Sequence, residues 1–446
     1  MSGASVTAEP PASGAPPPAR EARWRKHAVA AAFLTPAVFL LAIWLIYPTI
    51  RTIIRSFYDR SGDSFIWFDN YETLFTSDTL LTAIRNNAIW VAVVPAAVTA
   101  VGLLFAVLLE RVRWSVAFKT VVFMPMAVSA FAAGVTWRIM YQQDPSQGAI
   151  NAAIGAVKDT VSPPGVLPDA KPATEDLTGT PAGGLVLEEP LAPDSVARLG
   201  LTGIREDDVP EGAEQALLPE PLQGGITGVV WRDFKPGGGT PGEVEEGELG
   251  LPGVTVELRD ADGSTIESTQ TEPNGTFAFE NVEGSDYRAA IGAATFAKPF
   301  DGVSWLGPKL ITPSIIISYI WIWAGFAMVV IAAGLAAIPR DVLEAARTDG
   351  GSEWQVFRRV TVPLLAPVLT VVFITLLINV LKVFDIVIAV APQSVQDDAN
   401  VIALAMWRTS FGGVSDFGLG SAIAVFLFIL VIPILALNIR RFRREV

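Results

Sequence analysis

Inside one long apolar run, VPLLAPVLTVVFITLLINVLKVFD, polar side chains recur at a helical interval. Thr375, Asn379 and Lys382 stand at i, i+4 and i+7, with Asp385 three residues further on. A charge at the centre of a bilayer costs about 2.5–3.5 kcal/mol on insertion scales, so each such group asks for a partner or a water-lined path. What these groups offer is hydrogen bonding to a passing polar solute rather than bond breaking. Counting about 1.5 Å per residue from position 364, Asn379 lies past mid-membrane and Lys382 and Asp385 near the far boundary. At that depth a snorkelling ion pair, or a bond between helices, competes with a role in solute passage. In a second apolar run Tyr319, Trp321 and Trp323 have flat faces with polar edges that suit sugar rings, and aromatic residues also form the usual interface belt of a membrane helix.

Other chemistries are closed off. The chain has no cysteine, which removes disulfides, zinc–thiolate sites, iron–sulfur clusters and cysteine nucleophiles together. Its one histidine, His27, sits in a basic flank and makes a Ser-His-Asp triad improbable. No GxxxxGK[ST] phosphate loop occurs, so the chain is not expected to bind and hydrolyse ATP by itself.

The elements that must position these residues follow from composition. The 446 residues are 51% hydrophobic and 17% charged, and the mean hydropathy is +0.44, which places the chain in a membrane. Six windows approach the ~20 apolar residues needed to cross the hydrocarbon core: 28–48, 86–109, 115–140, 311–338, 364–390 and 417–438. A polar insertion, 141–310, separates the third from the fourth. It holds 10 Lys/Arg against 28 Asp/Glu, so it carries −18 of a net −13 and leaves the rest at +5. Basic residues flank alternate ends of the spans: Arg20, Arg23, Arg25 and Lys26; Arg111, Arg113 and Lys119; Arg340, Arg347, Arg358 and Arg359; Arg440, Arg441, Arg443 and Arg444. This bias puts both termini and the 341–363 loop in the cytoplasm and 141–310 outside it. Arg51, Arg55, Arg60 and Arg85 in the loop 49–85 run against the bias but lie opposite by parity. Residues 1–27, rich in Pro, Ala, Gly and Ser, read as a disordered cytoplasmic tail, followed by an uncleaved first helix.

Between the fourth and fifth spans lies EAARTDGGSEWQVFRRVTVPLL. Asp341 and Glu344 have the spacing of a capping box, as do Ser352 and Gln355. Gly350-Gly351 supplies a C-terminal stop, because glycine adopts positive φ at little cost. Pro363 suits the first turn of the next span. Two short helices joined by a tight turn are therefore expected, with Ala345 and Ala346 giving a smooth, closely approachable face.

Glu344-Ala345-Ala346, Gly350 four residues later, and Val360-x-Val362-Pro363 resemble the EAA signature of binding-protein-dependent ABC importer permeases, EAA-x3-G-x9-I-x-L-P, with valines replacing Ile and Leu. Asp349 is also common there. Phe68-Asp69-Asn70-Tyr71 before the second span and IWIWAGFAMVVIAAGLAAIPRDVLEAARTDG are similar to the sugar-uptake branch, especially the larger maltose and sn-glycerol-3-phosphate permease subunits, over about 30–155 and 303–445. The resemblance implies an all-α polytopic membrane protein, six transmembrane helices of the type I ABC importer permease fold. It implies no catalysis in this chain and no cofactor of its own, ATP and Mg being held by a partner ABC ATPase dimer that docks on Glu344, Ala345, Ala346, Asp349, Gly350 and Pro363. A second permease subunit, forming a heterodimer, and an extracytoplasmic solute-binding protein are the other implied partners, with the lipid bilayer and no nucleic acid. It tilts Tyr319, Trp323 and Asn379 toward a substrate path, to which the polar stripe adds Thr375, Lys382 and Asp385 as candidates.

Within the insertion, 156–223 reads as a Pro/Gly/acidic linker. In 224–295, Val254, Val256 and Leu258 alternate, as do Phe277 and Phe279, and Asp262-Gly263 and Asn274-Gly275 mark hairpin turns. This extracytoplasmic all-β sandwich of about 70 residues resembles the B-type modules of Gram-positive surface adhesins. In such modules acidic loops sometimes hold calcium, which makes Asp233, Glu245, Glu246 and Glu248 a weak calcium candidate. By analogy with the maltose permease's external domain, the module is expected to meet the solute-binding protein.

The domains expected are thus the tail 1–27, permease parts 28–155 and 303–446, the linker and the module. The expected function is ATP-driven import of carbohydrate, maltose-like α-glucosides being favoured. Glycerol phosphate or another small polar solute is the alternative within the family. A membrane-anchored adhesion protein leaves the EAA loop unexplained, and an ion-coupled transporter would want carboxylates deep in several spans.

Overall fold

Long apolar runs close all their backbone hydrogen bonds within a helix, the only open-chain solution in lipid. The computed structural model describes residues 31–445 except Arg111 and Pro181. The expected tail, the flanking Arg20 to His27 and the start of the first span lie outside the described residues. The chain divides into two units, residues 1–138 with 306–446, and Ile139–Trp305.

In the first unit the helices are α1 (Ala31–Arg55), α2 (Asp69–Thr76) and α3 (Asp78–Glu110), then α4 (Ser115–Ala127) and α5 (Ala130–Met140). After the second unit, which contains α6 (Ala149–Val161), come α7 (Ile311–Ala336), α8 (Arg340–Thr348), α9 (Glu353–Leu381), α10 (Asp385–Val390), α11 (Ile402–Phe411) and α12 (Phe417–Glu445). Among the described residues five helices are long and apolar enough to cross a membrane. The chain is therefore a multi-pass membrane protein. The third expected span is not one helix: α4 and α5 meet at 100°. Pro125 sits in a tightened turn at Met124–Ala127, and Ser129 Oγ accepts the Ala132 N–H to start α5, so the two caps divide the run.

Helix α3 packs chiefly on α7, and α9 packs on both. The approach is close because of small residues: a Cβ added to Gly102 would stand 2.5 Å from that of Ala327. Two π-helical turns, Ala42–Ile46 and Phe357–Thr361, each lie just before a proline, Pro48 and Pro363. A proline has no N–H for the carbonyl four residues back, and the ladder loosens there to an i→i+5 turn.

In the second unit ten strands form two five-stranded sheets. They are β1 (Lys171–Pro172), β2 (Leu177–Thr180), β3 (Gly184–Leu187), β4 (Val196–Thr202), β5 (Ile226–Arg232), β6 (Leu249–Gly250), β7 (Thr255–Arg259), β8 (Thr265–Gln270), β9 (Thr276–Phe279) and β10 (Arg288–Ile291). One sheet runs β2-β3-β10-β7-β8; in the other, β1-β4-β5-β6, the strand β9 also pairs with β5. The linker expected at 156–223 is corrected here. Four strands lie within it, and Leu177, Leu185, Ala197, Leu199 and Leu201 share one core with Val254, Val256, Leu258, Phe277 and Phe279. That added apolar surface completes a core that 70 residues alone would fill poorly. Asp262-Gly263 does turn the β7–β8 hairpin, whereas Asn274-Gly275 carries the chain from β8 in one sheet to β9 in the other. Inside this unit Asn151, fully buried, ties Gln142, Gln143, Val303 and Trp305 together through both ends of its amide.

Candidate functional site

The loop after α7 is a helix, a turn and a helix. Helix α8 opens after Pro339 with no side-chain cap, and Asp341 already lies inside its first turn. The capping box expected from Asp341 and Glu344 is therefore absent, since proline fixes the entry one residue before Arg340. The second box is present: Ser352 Oγ accepts the Gln355 N–H at 3.3 Å and Gln355 Oε1 accepts the Ser352 N–H at 2.9 Å. Between them Gly350 has φ +85°, with its N–H on Arg347 O, while Gly351 N–H reaches Ala346 O at 3.1 Å. Arg347 grips Glu353 with both arms of its fork, Nε–Oε1 being 2.8 Å, which clamps α8 to α9. Glu344, Ala345, Asp349 and Gly350 are exposed and Ala346 half-buried.

Two hollows flank this turn. One of about 290 Å³ is lined by Ala346, Asp349, Gly350, Gly351, Gln355 and Arg359. The other, about 620 Å³ and mostly apolar, includes Leu103, Val107, Leu335, Leu343, Trp354 and Phe357. A rigid, solvent-facing knuckle with a smooth alanine face is suited to sit in another protein's groove and pass on its displacement. The second short helix is not separate from the span, as expected, but runs on through Pro363 into α9 across the π turn.

Tyr319 and Trp323 stack at 5.8 Å and 25°, and Trp90 of α3 meets Tyr319 edge-on at 5.2 Å. Trp90 and Tyr319 are buried, Trp323 half-buried and Trp321 exposed. Thr375 and Asn379 are half-buried on α9 and bond back along it, Thr375 Oγ1 to Val371 O at 2.8 Å and Asn379 Nδ2 to Thr375 O at 2.9 Å. The Asn379 carbonyl oxygen accepts no hydrogen bond among the described residues. Lys382 and Asp385 do not extend this stripe. Helix α9 stops at Leu381, Lys382 is its C-cap and Asp385 begins α10. Both are exposed, and no ion pair joins them among the described residues.

Sequence reasoning missed the residues that hold the 398–402 segment, at the start of α11, against α3. Asn86 and Asn87, 2% and 3% exposed, lie in the N-terminal third of α3. Asn86 Nδ2 donates to Asp398 O (2.7 Å) and Asn400 O (2.9 Å), and Asn87 Oδ1 accepts the Ile402 N–H at 2.7 Å. Two adjacent amides entering an apolar run were the available signal, because each is costly unless paired.

The calcium candidate does not hold. Asp233 accepts the Gly242 N–H at 2.6 Å, Glu245 accepts Thr240 N–H at 3.0 Å with Lys235 at 3.5 Å, Glu248 accepts the Glu245 N–H at 2.9 Å, and Glu246 is exposed. Asp233, Glu245 and Glu248 each give an oxygen to their own loop, while Glu248 Oε1 stays unpaired. Among the described residues no three His, Cys, Asp or Glu side chains are grouped to hold a metal ion.

Comparison with known proteins agrees with this geometry. Residues 276–444 match the family model of the binding-protein-dependent transport system inner membrane component, and 224–299 match the SdrD B-like domain. The osmoprotective compounds uptake permease protein GgtC of Synechocystis sp. is 27% identical over 414 residues, 93% of this chain and 98% of that one. The alpha-glucoside transport system permease protein AglF of Rhizobium meliloti is 27% identical over 413 residues, 93% and 82% of the two chains. A bacterial alginate ABC transporter, solved in complex with an alginate pentasaccharide-bound periplasmic protein, superposes with TM-score 0.56 at 16% identity, covering 95% of this chain and 97% of that one. That likeness shows the fold, a helical permease type with a separate β region. Residues 276–444 thus belong to the binding-protein-dependent transport system inner membrane component family, and over 93% of its length the chain is similar to ABC permease subunits, which are transporter subunits and not enzymes, with an SdrD B-like module matched at 224–299.

Proposed function

We propose that this permease carries carbohydrate, specifically α-glucosides of the maltose type, inward across the cell membrane. In this reading an extracytoplasmic solute-binding protein delivers the sugar, and a separate ATPase dimer supplies the power stroke through 341–363. A second permease chain completes the path. ATP and its Mg²⁺ belong to the ATPase partner. Both termini and the 341–363 knuckle face the cytoplasm, and the β unit faces outward.

The observation that carries the reading is the knuckle itself. Gly350 at φ +85° and the Ser352–Gln355 box form a rigid connection between α7 and α9, so force applied at Glu344 to Gly350 reaches the helices that bear the aromatic and amide groups. Trp323, half-buried and backed by Tyr319 and Trp90, supports sugar as the cargo, because an open aromatic face matches the apolar face of a pyranose ring. Asn379, with its carbonyl oxygen free, supplies an acceptor for a sugar hydroxyl. The α-glucoside assignment rests on the likeness to AglF over 93% of the chain.

The test is uptake of labelled maltose into proteoliposomes holding this chain with its partner permease, ATPase and binding protein. ATP-dependent accumulation competed by other α-glucosides is expected. Accumulation of sn-glycerol 3-phosphate but not maltose would move the substrate to the other side of the family, and no ATP-dependent uptake of either would refute the proposal.

A further inference from the structure

The end of the first span carries two arginines where the charge bias of the membrane disfavours them. Arg51 and Arg55 are one helical turn apart on α1, and Arg51 lies about 30 Å along the helix from Ala31, at the edge of the hydrocarbon. They line a hollow of about 530 Å³ together with Thr52, Tyr58 and Ser421, and no carboxylate lines it. Arg51 makes no hydrogen bond or ion pair among the described residues. Arg55 commits Nη2 to Arg60 O at 2.7 Å, but its Nη1 is buried and unpaired. The nearby Asp59 makes no ion pair with it among the described residues; its oxygens accept from the N–H groups of Gly62, Asp63 and Ser64 and from the Ser61 hydroxyl. Gly62 makes the arrangement feasible: at φ +95°, a Cβ there would stand 2.3 Å from Arg55 Nη1.

A second, independent observation concerns the loop that follows. Phe65, Trp67 and Phe68 are 48%, 67% and 63% exposed and touch one another or their neighbours in an aromatic cluster with Phe57, Tyr58 and Tyr71. Trp67 is held at φ +55°, a conformation unfavourable for a bulky residue. Exposed aromatic rings beside a span end are the signature of headgroup-level anchoring.

We propose that Arg51 and Arg55 form a phosphate-binding site whose ligand is the headgroup phosphate of an anionic phospholipid. Arg55 Nη1 and the Arg51 fork donate charge-assisted hydrogen bonds to the phosphate oxygens, the Ser421 hydroxyl adds a neutral donor, and the aromatic loop lies at headgroup depth beside it.

The probe is phosphatidylglycerol added to the full-length chain in detergent, with retained lipid counted by native mass spectrometry. Wild type should retain phosphatidylglycerol over phosphatidylcholine by about tenfold or more, because both offer the phosphate but the choline cation of the second is repelled by the two arginines. Arg51→Gln, which removes no internal contact, and Arg51→Gln/Arg55→Gln should lose that preference stepwise. Inorganic phosphate at millimolar concentration separates the sources. Failure to displace the lipid supports the headgroup. Displacement, with saturable binding of phosphate alone that the double variant loses, supports the same two arginines acting on free phosphate. A preference unchanged in the double variant, or no binding of either probe, would overturn the proposal. So would protection of Arg51 by an acidic partner protein alone.

Discussion

Gly350 is the residue on which the coupling geometry turns, and substitutions there separate backbone conformation from steric fit. No atom lies within 4 Å of a Cβ built at this position, so alanine meets no clash and its penalty is the positive φ of +85° alone. That penalty is about 1–2 kcal/mol for an L-residue, partly offset by the smaller entropy an alanine loses on ordering, which leaves about 1 kcal/mol, or about fivefold in population. Asparagine tolerates this region better than alanine. Proline fixes φ near −65° and abolishes the N–H bond to Arg347 O, a cost of about 3 kcal/mol or more. In a reconstituted complex, hydrolysis stimulated by the binding protein should therefore decrease in the order Gly, Asn, Ala, Pro. Alanine should lose at most about fivefold and proline nearly all, while every variant still assembles with its partners. Proline hydrolysing like wild type, or asparagine proving as damaging as proline, would refute the reasoning.

Three further outcomes are expected. Asn86→Ala leaves the Asp398 and Asn400 carbonyls without their donor, at a cost of about 1–3 kcal/mol. It should lower the thermal midpoint of the detergent-solubilised chain and reduce maximal uptake more than apparent affinity, which a joint melting and transport assay reads. Trp323→Ala removes one face of the stacked pair and should instead raise the sugar concentration for half-maximal uptake, with ATPase assembly unchanged. Glu248, 1% exposed with Oε1 unpaired, has its pKa raised by burial, with the Asp233 and Glu245 charges adding to the effect. The folded chain then holds that proton more tightly than the unfolded one, so this group's contribution is full below the ordinary value of 4.5 and declines as pH rises through the elevated one. Glu248→Gln should flatten that decline, measured as protease resistance of the β unit in the full chain between acid and neutral pH.

Which features were legible follows from how local their causes are. The turn at Gly350 and the Ser352–Gln355 box depend on residues within four positions of each other, and the sequence places them correctly. The spans are legible because hydropathy integrates over twenty residues, but their interruptions are not. The bend between α4 and α5 needs Pro125 and Ser129 read as two caps, and the 398–402 segment is held from α3 by Asn86 and Asn87, hundreds of residues away in sequence. The strands in 171–202 escaped notice because β2 and β3 are four residues each amid Pro and Gly. Yet Ala197, Leu199 and Leu201 of β4, all fully buried, alternate with period two and were readable as a strand. In α9 the period of 3.6 holds from Thr375 to Asn379, but the helix ends at Leu381, so Asp385 stands on the next helix, a boundary that a local period does not reveal.

The central claim is that 341–363 is where an ATPase drives this permease. Because the chain contains no cysteine, Ala346→Cys introduces a single thiol with no background to remove. Cross-linking of that thiol, in assembled membranes, to a cysteine in the ATPase subunit should proceed in high yield and change with nucleotide, whereas Ser264→Cys in the β7–β8 turn should give none. A cross-link from position 264, or none from position 346 in an assembled complex, would contradict the account.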